Sequence, residues 1–556
     1  MPITRRVAAA SATVTALAML AAGCGSSDSG TETAATTTTA AAQAGGTLTA
    51  YWSAFPDYLD PALSYTQEGW TTLWPVYTGL LTYKHAEGTA GAELAPGLAE
   101  ALPEISDDGL TYKLKLRSGL KYSDGTPVKA SDFQRTIQRV LHLESGGSGY
   151  YQSIKGADDY IKAGKPKAPI EGIETDDDTG DITITLAKPD GQFSFYLAMD
   201  FAGLVPGTTK FDNLTDAPPP GVGPYMFSDI RGSRSWKLVR NPNFTALPNV
   251  PAAKADEIDI SVVKNQRRQV EDVLADKVDL LFDAPTTDLL PRVKQEAAGR
   301  FAAEVTNSVY YYFLNQRVAP FDNAKVRQAV AYAVDPRALQ RIYGGLMSPT
   351  CNFLPPDMSG FKKIDPCPYG ALDGDRDLQK AKQLIAQAGA EGEQVTVWGD
   401  DLDTTKASTE YIADVLTTIG LKATPKTISG ETYFQTIGNQ KTKAQIGFAN
   451  WFQDFPHPAS FMFLVNGGTI QDTNNQNFGN VDDPEINKLI DTANQSHDFA
   501  AVAAKYEEAD RRLIEQADVV PIGNRELTKL TSSRVAFDAF KWHPVYQQDL
   551  TTLGLK

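Results

Sequence analysis

Between residues 378 and 515 the chain alternates helix-spaced and strand-spaced apolar patterns, which restricts it to an α/β body more tightly than any other feature. Helical spacing covers 378–388, 405–419, 484–494 and 499–515, and Val395-Thr-Val-Trp and Ile446-Gly-Phe read as strands between them. Upstream, Leu110-Thr-Tyr-Lys-Leu-Lys-Leu-Arg, Trp236-Lys-Leu-Val-Arg and Ile258-Asp-Ile-Ser-Val-Val alternate with period two and predict further strands. Helices are predicted over 68–81, with apolar residues at Leu73, Val76, Tyr77 and Leu80, and from Ser131, the expected cap, to Leu141. The acidic run Asp176-Asp-Asp-Thr-Gly-Asp lacks the distal Glu of a calcium loop and reads as an exposed hairpin turn. A length of 556 residues exceeds the ~250–300 at which one core stops growing, so at least two lobes follow. There is no internal repeat.

The N-terminus reads as an address. Arg5 and Arg6 precede an apolar run over 7–20, too short to span a bilayer comfortably, and Ala21-Ala22-Gly23 leads into Cys24. That junction resembles a bacterial lipobox, which predicts a signal peptide over 1–23 and Cys24 as the lipid-modified first residue. The following Ser, Thr, Ala and Gly, through residue 46, cannot bury a core and predict a tether reaching ~25 Å. The body is then expected outside the cytoplasmic membrane, anchored to its outer face. In that oxidising place Cys351 and Cys367 are expected to pair in their proline-rich loop; the rival reading, a metal site, has too few ligands.

A net charge of −16, with no basic run longer than Arg267-Arg268, argues against a nucleic-acid partner. Nucleophile elbows, His-Glu-x-x-His, phosphate loops and Cys-x-x-Cys are absent, and His85, His142, His457, His497 and His543 are scattered, so the chain does not read as an enzyme. Asp400, Asp401 and Asp403 read as a solvated loop or cap rather than paired catalytic acids. Asn450-Trp-Phe-Gln-Asp-Phe-Pro stands out, because it sets Asp454 among aromatic rings and beside Pro456 and Pro458. Such a carboxylate, expected to be ionised at neutral pH, can receive a cation such as an amino terminus while rings cover its stem. The alternative is that Asp454 caps a helix over 459–464.

Several ordered blocks resemble the bacterial extracellular solute-binding proteins of family 5, the oligopeptide, dipeptide and nickel group that delivers ligand to ABC importers. They are Leu59-Asp-Pro, Tyr77-Thr-Gly-Leu-Leu, Leu94-Ala-Pro-Gly-Leu-Ala-Glu, 108–133 with its Ser123-Asp-Gly-Thr-Pro, Gly221-Val-Gly-Pro-Tyr, Arg240-Asn-Pro-Asn-Phe and Pro320-Phe-Asp-Asn-Ala-Lys-Val-Arg. The resemblance implies an α/β, two-lobed periplasmic-binding-protein-like fold with two crossovers and an extra subdomain inserted in the first lobe. Its expected parts are a first lobe over 47–306 with the insert at about 82–190, a second lobe over 307–523, and a C-terminal return to the first lobe over 524–556. It also implies a monomer that captures peptides, or another solute such as a sugar, an opine-like amine or nickel, and hands them to a membrane permease without cofactor or resident metal. By the same resemblance Asp454, with Trp451 beside it, holds a peptide's amino terminus. Tyr151, Asn477, Phe478, Tyr312, Asn315, Trp398, Tyr65 and Gln67 are expected around the same cleft. The sequence departs from one oligopeptide-binding pattern by carrying Phe448 where an Arg would grip a ligand carboxylate.

Overall fold

The computed structural model describes residues 42–556 apart from Ser359. The expected signal peptide, Cys24 and the tether through residue 41 lie outside the described residues. Chain order at the start of the body is set by Gln43, whose N–H donates to Leu555 O (2.8 Å), and by Gly45, whose N–H donates to Lys254 O (2.7 Å). The tether expected through residue 46 is therefore tied to the body from Gln43.

Among the described residues a twelve-stranded sheet runs through both lobes. In the second lobe Gln394–Asp400 pairs in parallel with Lys422–Ile428 and Ile446–Phe452, and Ser308–Leu314 lies antiparallel to Ile446–Phe452. In the first lobe Thr47–Trp52 is parallel to Glu257–Val262 and Leu280–Leu281, and Ser235–Arg240 and Tyr225–Ser228 extend the sheet antiparallel. The strand Val519–Thr531 joins the halves. Its 13 residues extend over ~43 Å at ~3.3 Å per residue, so one strand serves both lobes. It pairs first with Ser308–Leu314, then with Phe301–Val305 and Leu280–Leu281. The second connection, Thr306-Asn307 between Phe301–Val305 and Ser308–Leu314, runs beside it, with Thr306 N–H donating to Arg525 O (2.9 Å). These are the two crossovers.

Each part closes its own core, as the chain length requires. Tyr312, Phe313, Val397 and Leu416 belong to a second-lobe core, whereas Trp52, Trp236 and Leu553 belong to a first-lobe core. The insert has a separate four-stranded sheet, Glu104–Ile105, Thr111–Lys115, Asp181–Thr185 and Ile173–Thr175, whose buried face packs on Phe133 and Ile137 of the helix Ser131–His142. Its acidic turn is a hairpin, with Asp176 Oδ1 accepting from Asp178 and Thr179 N–H.

Two local expectations are corrected. Ser131 does not cap its helix; it is the first helical residue, and its N–H (2.8 Å) and hydroxyl (3.0 Å) donate to Asp177 of the hairpin turn. A carboxylate there also opposes the helix dipole favourably. The helix expected over 68–81 ends at Leu73, because Pro75 cannot supply the next N–H; Leu81–Tyr83 is a strand instead. Its apolar spacing reflects burial of Val76, Tyr77 and Leu80 in irregular backbone. Cys351 and Cys367 are bonded, with Cα atoms 5.9 Å apart, within the usual disulfide range.

Candidate functional site

The strand Ile446–Phe452 leaves the sheet at Gln453, which the second crossover catches twice. Gln453 N–H donates to Asn307 O (3.0 Å), and Asn307 Nδ2 donates to Gln453 Oε1 (3.1 Å). Gln453 Nε2 reaches the C-terminal segment at Pro544 O (2.8 Å). Asp454 N–H then donates to Ser460 Oγ (2.8 Å), turning the chain before Pro456 and Pro458. The following helix, Ala459–Met462, has no side-chain cap, so Asp454 is not spent as one.

Its carboxylate is instead aimed at the other lobe. Tyr65 donates its hydroxyl to Asp454 Oδ1 (3.0 Å) and is itself joined to the Tyr150 hydroxyl, while Ser460 Oγ is a distant 3.4 Å from Oδ2. Trp451 Nε1 lies near the same group but is buried without a hydrogen-bond partner. Phe455 packs onto Tyr150, Phe195 and Tyr196 of the insert, at 6.1, 5.9 and 5.3 Å between ring centroids. Asp454 is only 6% exposed, and burial pushes its carboxyl up to about 7, with the Tyr65 hydrogen bond the largest opposing influence. Burial thus works against the ionised form expected at neutral pH, and the empty cleft bears the cost of desolvating that charge. His457, packed between Phe195 and Phe499, is pushed down to about 3 by burial and stays neutral.

A cavity of about 390 Å³ opens beside this carboxylate, between the lobes. Tyr65, Thr66, Gln67 and Trp70 line it from the first lobe; Phe434, Asn450, Trp451, Phe452, Gln476 and Phe478 line it from the second. The lining contains no Lys, Arg or His, so Asp454 is its sole full charge. An apolar, aromatic cavity with one half-satisfied carboxylate is matched by a ligand with one cationic head and an apolar stem.

The family model of bacterial extracellular solute-binding proteins, family 5 Middle, matches residues 93–473. The chain belongs to that family. Relatives of this family 5 protein include "Heme-binding protein A" of Haemophilus influenzae, 29% identical over 472 residues, covering 81% of either chain. The "Probable D,D-dipeptide-binding periplasmic protein DdpA" of Escherichia coli is 24% identical over 512 residues, covering 89% of this chain and 91% of that protein. The structure titled "Clavulanic acid biosynthesis oligopeptide binding protein 2" superposes with a TM-score of 0.84 at 26% identity, over 92% of this chain and 96% of that one. Family members are extracytoplasmic, and among the described residues no helix is long and apolar enough to cross a membrane.

Of the residues expected around a family 5 cleft, Asp454, Trp451, Phe478, Gln67 and Tyr65 share the cavity. Others do not. Tyr151 is fully buried with its hydroxyl on Tyr196 O (2.8 Å), whereas Tyr150, itself outside the cavity lining, reaches the Tyr65 hydroxyl, because one turn of 3-10 helix sends consecutive side chains in different directions. Asn477 closes its own loop, accepting from Val481 N–H (2.9 Å) and donating to Asn466 O (3.1 Å). Tyr312 points into the second-lobe core, hydroxyl to Ser408 Oγ (3.0 Å), and Asn315 bonds Ala444 O (2.8 Å). Trp398 is outside the cavity, its face covered by Lys426 Nζ at 3.9 Å. Trp70, Phe434, Gln476 and Tyr150 were not anticipated. Trp70 had a readable signal, since it lies three residues after Gln67 on one helix face.

Proposed function

We propose that this family 5 protein captures peptides by their amino terminus, with the α-ammonium on Asp454 and the first side chain in the aromatic cavity. The carrying observation is the buried, half-satisfied Asp454 carboxylate in a cavity that holds no other charge. A bound ammonium would draw the proton off the carboxyl and complete its unmet lone pairs. The peptide names of relatives support the reading. Haem, named for the Haemophilus relative, fits less well: the lining has no His, Met or Cys for iron, and burial with the nearby Asp454 charge holds the Tyr65 hydroxyl well above its ordinary range, hence protonated. Calorimetry with free and N-acetylated forms of one tripeptide tests this. Acetylation should weaken binding at least tenfold; equal affinities would sink the peptide reading.

The same proposal makes the protein the capture component of an ABC importer, held at the membrane by lipid on Cys24 and passing ligand to a permease. The motif ending at Cys24 and the polar stretch after it support the anchor. Cys24→Ala should move the protein from the membrane to the soluble fraction with peptide affinity unchanged. Membrane fractionation identical to wild type, with no diacylglycerol mass on the first mature peptide, would rule the anchor out.

A further inference from the structure

We propose that the turn 190–192 and the C-terminus of the helix Pro484–Asn494 form a latch that holds the two lobes together without ligand, so that the closed cleft is the resting state of the protein. No residue of the latch lines the cavity, and the inference holds whichever solute the cavity takes.

The first lobe builds its half of the latch alone. Asp190 Oδ1 accepts Gln192 N–H (3.2 Å), and Asp190 O accepts Phe193 N–H (3.2 Å) and the Tyr112 hydroxyl (3.1 Å); Phe193 belongs to the insert core. Those bonds fix the turn but use neither the Gly191 N–H nor the Gln192 side-chain amide. Both donate to Asn494 O of the second lobe, at 2.9 and 3.3 Å. Asn494 is the last residue of its helix, where the closing carbonyls have no N–H of a following turn to accept. Among the described residues no donor of its own lobe reaches Asn494 O, so this helix end is capped across the cleft. The second lobe fixes its half in turn, since the Tyr506 hydroxyl donates to Asn494 Oδ1 (2.7 Å).

Gly191 shows that the fit is made between the lobes rather than within the turn. Its φ is outside the left-handed region, so its own backbone would accept an alanine. A methyl group there would overlap the Ser496 carbonyl oxygen and lie 3.1 Å from Asn494 O, and backbone atoms cannot rotate aside. The absent side chain is needed only where the lobes meet.

An aromatic seam joins the latch to the Asp454 turn. Phe455 comes from the second lobe yet is buried in the insert core, and the His457 ring lies 5.4 Å from Phe195 of the insert and 5.3 Å from Tyr506. Burying a phenyl side chain is worth roughly tenfold to a hundredfold in an equilibrium, and the carbonyl cap adds to it, which makes the closed form the majority. A ligand bound in such a cleft loses no affinity to a rarely populated competent state.

The test uses the full mature protein, freed of carried solute by unfolding, dialysis and refolding, and measured without any added ligand. Hydrogen exchange should be slowed about tenfold or more at the Gly191 amide, which only the other lobe can protect. The Gln192 and Phe193 amides, bonded within the insert, serve as the internal reference. By small-angle scattering Gly191→Ala should have a larger radius of gyration than wild type with unchanged far-ultraviolet circular dichroism, and Gln192→Ala a smaller shift in the same direction. In Gly191→Ala the amide of residue 191 should lose its protection while those of 192 and 193 keep theirs. An unprotected Gly191 amide in the ligand-free wild type overturns the proposal, and that measurement needs no variant to fold. A folded Gly191→Ala protein as compact as wild type overturns it as well.

Discussion

Asp454→Asn is expected to lose peptide binding and gain stability at the same time. Removing one partner of a buried charge pair costs ~2–5 kcal/mol, because the peptide's ammonium is left desolvated and unpaired, so affinity should fall about thirty-fold to several-thousand-fold. The gain in stability comes from the same burial. The wild-type carboxyl titrates near 7 in the fold rather than at its ordinary 3.8, so the folded state prefers the proton. The stabilisation from that protonated form is fully present below ~4 and is lost as pH rises to about 7. At ~1.4 kcal/mol per unit, the empty wild-type protein is then about 4 kcal/mol less stable at pH 8 than it would be with a neutral group there. Asparagine keeps the shape and removes this penalty, so its advantage in denaturant unfolding should grow between pH 4 and 7 and then stay level. Peptide affinity of the wild type should follow the opposite course: it rises with pH up to about 7 as the carboxyl ionises, and falls again above ~8 as the peptide amine loses its proton. Affinity independent of pH from 5 to 7, or an Asn variant no more stable than wild type at pH 8, would show that Asp454 is neither buried nor paired in this way.

The lobes, the alternation of strand and helix in the second half, and the Asp454 stretch were legible because each leaves a local mark: length, apolar period, and a carboxylate amid rings and prolines. Side-chain direction was not. Ser308–Leu314 is buried on nearly every residue, so period-two alternation is erased, and nothing local tells that Tyr312 bonds Ser408 inside the second-lobe core rather than lining the cavity. Tyr150 and Tyr151 differ by one residue, and only the 3-10 turn decides which meets Tyr65. The upward shift of the Asp454 carboxyl was equally hidden, since it sets burial in the folded chain against hydrogen bonds, the largest of them from Tyr65, 389 residues away.

The largest loss of stability is expected from Asp60 and Arg139, which the Leu59-Asp-Pro motif announces only as a turn. Asp60 does make that turn, accepting Ala62 N–H at 3.0 Å, but its two oxygens also take Arg139 Nη1 (2.9 Å) and Nη2 (2.6 Å) and Leu214 N–H (3.0 Å). Arg139 completes its donors on Lys210 O (2.8 Å) and Asp212 O (3.0 Å). Both side chains are within 1% of complete burial, so neither charge can turn to water if the other is removed. Asp60→Ala or Arg139→Ala should each cost ~3–5 kcal/mol, read as a fall in the denaturant midpoint. Replacing both by apolar residues of similar volume should cost less than the sum, and the residue of the cost, ~1–3 kcal/mol per group, should come from the Ala62 and Leu214 N–H groups left without an acceptor. Function should move with it. Arg139 belongs to the insert helix Ser131–His142, and Asp60 begins the segment that carries Tyr65 and Trp70 to the cavity. The pair thus fixes the insert, with Tyr150, against the wall that presents Tyr65 to Asp454. Single variants that remain folded should bind peptide more weakly although neither residue touches the cavity. Two single variants each within ~1 kcal/mol of wild type would mean that water reaches the pair and that the insert is held by its apolar core alone.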